Sequence, residues 1–242
     1  MVRSGATTSA TAPSATEPAR LSDTLATVPS PSGLPQELRQ RPVQLQGSAL
    51  ARWLLRLGRW QVHFDGLPAA QGVLIVYPHT SNWDFVVGLL AKWAVGIRVS
   101  FWGKDTLFRV PLFGRWVRYL GGVPVLRDRP HGQVGQMVQA LAQARAEGRF
   151  MWLALAPEGT RARTEGWRTG FYRVTTQAAV PLGLIRLDYA QRKITFDSYW
   201  RCSGVLATDF ELFARRLSSG RGLRREQASP VRPLSPPNEN RP

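Results

Sequence analysis

Gly72-Val73-Leu74-Ile75-Val76-Tyr77-Pro78-His79-Thr80-Ser81-Asn82-Trp83-Asp84-Phe85 carries an apolar run directly into a polar turn. The run from Gly72 to Tyr77 reads as a buried strand, and the residues after His79 read as a helix entrance. A buried strand that feeds a helix is the repeating unit of an α/β sheet, whose ligands gather beyond the carboxyl ends of the strands. His79 stands at such an end. Asp84, one turn into the helix, can point back at it.

Two roles fit this pair. An imidazole exchanges a proton near neutral pH, and a carboxylate within hydrogen-bond reach fixes its tautomer and stabilises the imidazolium. On that reading His79 is a general base and Asp84 orients it. Ser81-Asn82-Trp83-Asp84 also fits a capping box, in which case Asp84 is a cap and His79 a turn residue.

A second apolar run, Phe150-Met151-Trp152-Leu153-Ala154-Leu155, delivers Pro157-Glu158-Gly159-Thr160-Arg161. Gly159 permits close backbone approach, Thr160 supplies a hydroxyl, and Arg161 offers a planar fork suited to phosphate. Glu158 is expected to pair with Arg161 or to meet acceptor hydroxyls. The bland reading is a strand-to-loop turn with a surface ion pair.

The intervening sequence alternates strand and helix patterns. Strands are expected over residues 73–77, 99–102, 123–126, 151–155, 182–187 and 194–198, with His63 in a further strand. Helices are expected at 48–60, at 83–97, at 112–120 with Pro111 as first helical residue, and at 133–147 closed by Gly148. Thr208 and Glu211 predict a capped final helix. The alternation predicts an α/β fold: a mostly parallel central sheet flanked by helices, with an N-terminal amphipathic helix.

Four blocks, in order, resemble the glycerolipid acyltransferase family, the lysophosphatidic acid acyltransferases and their relatives, in its compact bacterial branch. They are His79 to Asp84; Gly103-Lys104-Asp105-Thr106-Leu107-Phe108-Arg109-Val110-Pro111-Leu112-Phe113-Gly114 running on to Gly121-Gly122-Val123-Pro124-Val125-Leu126-Arg127; Glu158 to Arg161; and Val180-Pro181. Pro78 departs from the family's usual Asn before the His. The resemblance covers roughly residues 70 to 190 and implies an acyl thioester, on coenzyme A or acyl carrier protein, transferring its acyl group to a hydroxyl of a lysophospholipid or related glycerophosphate. It implies His79 as base oriented by Asp84, and Lys104, Arg127, Glu158, Gly159, Thr160, Arg161 and Arg168 as the set that holds the acceptor phosphate. No Ser, Cys or Thr sits in a nucleophile-elbow setting, so direct transfer is expected. The three His and one Cys have no ligand spacing, so no metal or cofactor is expected. His63 and His131 are expected outside the chemistry, and a lone Cys202 forms no internal disulfide.

The net charge of +16 and nine Trp favour an anionic membrane surface, which predicts a peripheral or monotopic protein on the cytoplasmic face. Leu50, Trp53, Leu54, Leu57 and Trp60 among Arg52, Arg56 and Arg59 predict an interfacial helix at 48–60. The same charge suits a non-enzymatic membrane- or nucleic-acid-binding module, the competing reading, although no nucleic-acid motif is recognisable. Residues 1–46, rich in Ser, Thr, Ala and Pro, are expected as a disordered leader, 47–218 as the acyltransferase domain and 219–242 as a disordered basic tail.

Overall fold

The computed structural model describes residues 33–125 and 130–234. Along the chain run β1 (Gln36–Glu37), α1 (Ala49–Leu57), β2 (Gln61–His63), β3 (Gln71–Tyr77), α2 (Trp83–Val95), β4 (Val99–Lys104), α3 (Asp105–Arg109), α4 (Phe113–Tyr119), β5 (Gly122–Val125), α5 (Pro130–Ala146), β6 (Met151–Leu155), α6 (Gly170–Gln177), β7 (Leu182–Asp188), β8 (Lys193–Arg201), α7 (Leu206–Leu217) and a single 3-10 turn at Arg225–Gln227. The strands form one sheet in the order β1-β8-β7-β3-β6-β4-β5, with β2 also on β8. Every pairing among β7, β3, β6, β4 and β5 is parallel; β8 is antiparallel to β7 and to β1. The expected α/β class and mostly parallel sheet are what the chain adopts.

β3 lies at the centre because it is apolar on both faces. Val73, Ile75 and Tyr77 pack with Leu141 of α5, Phe171 and Val174 of α6, and Phe210 and Phe213 of α7. Leu74 points the other way, into a cluster with Val87, Ala91 and Val95 of α2. This period-two alternation under two helical layers accounts for the unbroken hydrophobic run. Parallel β3 and β6 are neighbours, in register from Gln71 opposite Met151 to Ile75 opposite Leu155, so their carboxyl ends open side by side.

Several sequence expectations shift. The expected 112–120 helix is α4, with Leu112 as its N-cap, so Pro111 precedes the helix rather than opening it; α3, just before it, was not expected. Thr208 lies inside α7, which opens after Val205, so the Thr208–Glu211 box caps nothing; instead Asp209, fully buried, accepts from the Ser203 N–H at 2.9 Å. Helix α6 was not expected, although Phe171, Tyr172, Val174 and Thr175 give it a buried face.

Both expected tails begin too far inward. From the leader, β1 pairs with β8 and Val43 bonds both ways with Leu67. From the tail, residues 220–234 cross the carboxyl ends of the strands as a strap. Its start is fixed by the Arg221 N–H donating to Leu187 and by Arg221 accepting from the Tyr189 N–H. Its far end is fixed by exchanges between Trp167 and both Arg232 and Leu234.

Candidate active site

The β3–α2 loop gathers its polar groups on Asp84. One Asp84 oxygen accepts from the backbone N–H of Thr80 at 2.7 Å and of Ser81 at 2.8 Å, and lies 3.1 Å from His79 Nδ1. The other accepts from the Tyr189 hydroxyl at 2.7 Å. The bond from the Ser81 N–H is one half of the capping-box pattern; in the other half the Ser81 hydroxyl accepts from the Trp83 N–H, and the Asp84 N–H donates to the Ser81 carbonyl at 3.3 Å. Burial alone would raise its pKa, but hydrogen bonds from His79, Tyr189 and Ser81, with attraction to His79, overcome this and hold the carboxyl below its ordinary value. An ionised Asp84 can only accept, so the proton between the pair sits on Nδ1. Nε2 is thereby left as the acceptor. The His79 side chain is 27% exposed against 2% for Asp84, so the imidazole is open while its anchor is sealed.

The β6–α6 loop reaches the same histidine from behind. Glu158, 2% exposed, accepts from the His79 backbone N–H at 2.7 Å and from the Ser229 N–H at 3.3 Å. Burial pushes its pKa up to about 8, with the two N–H bonds opposing and the Asp84 charge reinforcing. Glu158 was expected to pair with Arg161 or to meet acceptor hydroxyls, within the set the resemblance assigns to the acceptor. It does neither: its carboxyl buttresses the His79 backbone, since both oxygens are turned to buried amides that would otherwise lack partners.

Gly159 has φ +67°, and a side chain there would meet Arg168, whose Cδ and Nε lie about 3 Å from the ideal Cβ position. Arg168 therefore lies over Gly159, held by its own N–H donating to Pro157. Thr160, Arg161 and Arg168 are exposed, and no ion pair among the described residues engages either arginine. Lys104 ends β4, one strand beyond β6, so its backbone sits at the same edge. Arg127 lies outside the described residues. His63 lies in β2, opposite Thr195 of β8.

The strap closes both loops from outside. Gly222 lies against Thr80, where a Cβ would come within 2.5 Å of its hydroxyl, and the Arg224 N–H donates to that hydroxyl at 3.3 Å. With its amide turned to donate, Gln227 bonds the backbone carbonyls of Thr80 at 3.1 Å and Arg161 at 2.9 Å, one from each loop. Ser229 is fully buried: its N–H meets Glu158, its carbonyl accepts from Tyr77 Oη at 3.0 Å, and its hydroxyl accepts from the Thr164 N–H at 3.0 Å. Sequence reasoning missed Tyr189, Gln227 and Ser229. A Tyr just past β7 and a Ser and Gln in a Pro-, Arg- and Ser-rich tail leave no local pattern to find.

The family model described as Acyltransferase matches residues 59–185, more than half of the chain and the part that holds both loops. The chain belongs to the acyltransferase family. The resemblance drawn from the ordered motifs is thus borne out, and this acyltransferase carries its His79–Asp84 pair inside the matched region. None of the curated proteins matches the chain. Among solved structures, the crystal structure of the 1-acyl-sn-glycerophosphate (LPA) acyltransferase PlsC from Thermotoga maritima is similar, with 16% identity and a TM-score of 0.41. That match covers 60% of this chain and 62% of the Thermotoga chain, less than two thirds of its length. No group of His, Cys, Asp and Glu suited to a metal occurs among the described residues.

Proposed function

We propose that this acyltransferase moves a fatty acyl group from a thioester, acyl-CoA or acyl-ACP, to a hydroxyl of a lysophospholipid or related glycerophosphate. The observation that carries the reading is the oriented pair: His79 Nδ1 at 3.1 Å from a buried Asp84 whose two oxygens are already engaged. With Nδ1 committed, Nε2 takes the acceptor's hydroxyl proton as its oxygen attacks the thioester carbonyl. The new C–O bond forms, the tetrahedral intermediate expels the thiolate, and the proton held on Nε2 returns to sulfur. Asp84 stabilises the transient imidazolium without itself taking the proton. Thr160, Arg161 and Arg168 are assigned to the acceptor phosphate, with Lys104 and Arg127 completing the set; a guanidinium fork binds a phosphate through paired charge-assisted bonds. Glu158 and Gly159 shape that loop.

The reaction is assigned to a membrane surface on the cytoplasmic face. Helix α1 docks on α2 through its small side, Ala51 and Leu55 against Ala94, and turns Leu50, Trp53 and Leu57 outward beside Arg52 and Arg56. Trp83, Phe85, Val86 and Trp93 of α2 are exposed too. Apolar anchors interleaved with arginines suit an interface with anionic lipid. No helix among the described residues is long and apolar enough to cross a membrane.

The test is turnover of labelled acyl-CoA and acyl-ACP against a panel of lysolipids. Wild-type protein is expected to yield one acylated product, and folded His79→Ala is expected to lose at least about 10²–10⁴ in kcat. A fully active His79→Ala enzyme removes the mechanism.

A further inference from the structure

The strap also forms a cleft of about 360 Å³, lined by Gly220, Arg221, Gly222, Arg225 and Ala228. None of these residues belongs to the four sequence motifs. Arg221 and Arg225 are both exposed, and no ion pair among the described residues engages either one. Glu226, the neighbouring acid, is not paired with them.

Their stems are fixed. The Arg221 backbone bonds to Leu187 and Tyr189, and the Arg225 carbonyl accepts from the Ala228 N–H at 3.2 Å. The place is fixed as well. Gly220 lies against Pro78 and Gly222 against Thr80, the two residues that flank His79 in sequence. Beyond Arg225, Gln227 reaches Arg161, and the Ala228 carbonyl accepts from Arg163 at 3.0 Å. The cleft therefore sits where both loops of the active site meet the strap.

We propose that this cleft is an anion site that holds a phosphate group of one of the two substrates, either the acceptor's headgroup or the thioester donor's nucleotide. The inference rests on the acyl-transfer reading for the identity of those substrates, and on the strap for the site. Two permanently charged arginines line one concavity of headgroup size, and among the described residues no carboxylate forms an ion pair with either. A phosphate dianion complements that arrangement through bidentate bonds. A general attraction to lipid would need no concavity and would be shared by arginines anywhere on the surface.

The test is calorimetric titration of the full chain with two probes, glycerol 3-phosphate for the acceptor and adenosine 3′,5′-bisphosphate for a coenzyme A donor. Arg221→Gln/Arg225→Gln is expected to bind one probe about tenfold more weakly or worse, to bind the other unchanged, and to keep its melting temperature. The probe affected names the substrate. Arg98→Gln/Arg149→Gln removes the same charge just before β4 and β6, at the opposite edge of the parallel strands. Unchanged affinity for both probes overturns the site. So does a loss matched by that control pair, which would mean bulk charge alone. His79→Ala separates the two readings, because it is expected to lose turnover and to keep the affinity of both probes. Tight binding without acyl transfer leaves the site and removes the function; turnover with unchanged binding does the reverse.

Discussion

The two loops that embrace His79 each bury one carboxylate, and they treat it in opposite ways. In the β3–α2 loop, Asp84 takes hydrogen bonds from four directions, and its pKa falls despite burial. In the β6–α6 loop, Glu158 takes two, faces the Asp84 charge, and its pKa rises to about 8. Burial is common to both, so the sign is set by the donors together with the neighbouring charge, His79 lowering Asp84 and Asp84 raising Glu158. Asp84 is held towards its ionised form, facing the ring; Glu158 is held towards its neutral form, behind the backbone. Charge is delivered to the imidazole from one side only.

Asp84→Asn should break this contrast most severely. An amide cannot accept from every donor that meets Asp84, and it can hold the wrong imidazole tautomer, so kcat is expected to fall by about 10³–10⁴ in the labelled-acyl assay. Wild-type stability owed to Asp84 is present above the ordinary carboxylate pKa and is lost as pH falls through the lowered folded value. Acid denaturation of Asp84→Asn should lack that component.

Tyr189→Phe sharpens the comparison by taking one donor from Asp84. About a tenfold loss in kcat is expected with KM little changed, and the acid limb of the pH–rate profile should move, which loss of packing alone would not cause. Gln227→Met keeps the shape of the clasp and deletes the bonds to Thr80 and Arg161. It is expected to cost about threefold in kcat, with a matching rise in acceptor KM.

The smallest effect on rate belongs to Glu158→Gln, within about twofold of wild type, because Glu158 braces the His79 backbone and not its ring; the amide accepts from only one of the two N–H donors, so some stability is lost at every pH. Its mark is on stability. A carboxyl whose folded pKa is raised favours the folded state below its ordinary pKa, and that advantage is lost as pH rises through about 8. Melting temperatures between those limits should therefore fall with pH in wild type and flatten in Glu158→Gln. Equal slopes would mean that Glu158 is ionised in the folded protein throughout.

What the sequence disclosed follows the same division. Strands β3, β6 and β7 were legible as apolar runs and β8 by its alternation of apolar and polar residues, and His79–Asp84 because the four intervening residues bridge the end of β3 to the first turn of α2. Glu158 was found but misdirected: a Glu beside an Arg suggests an ion pair, and only tertiary placement turns it onto two buried amides. The strap was read as a loose tail since its hold comes from backbone bonds and glycine contacts, which leave composition looking disordered. Helix α1 was legible as amphipathic, but which side it docks with was not, because Ala51 is a weaker signal than Trp53.

Ser229 is translated long after His79, yet it supplies one of the two amides that seat Glu158. Since chains leave the ribosome N-terminal end first, a nascent polypeptide already possesses His79 while the clasp over it is still unmade. Completion of the site is thereby deferred until residues 220–234 have been made, and a product stopped before them would carry the histidine without a finished cradle around it.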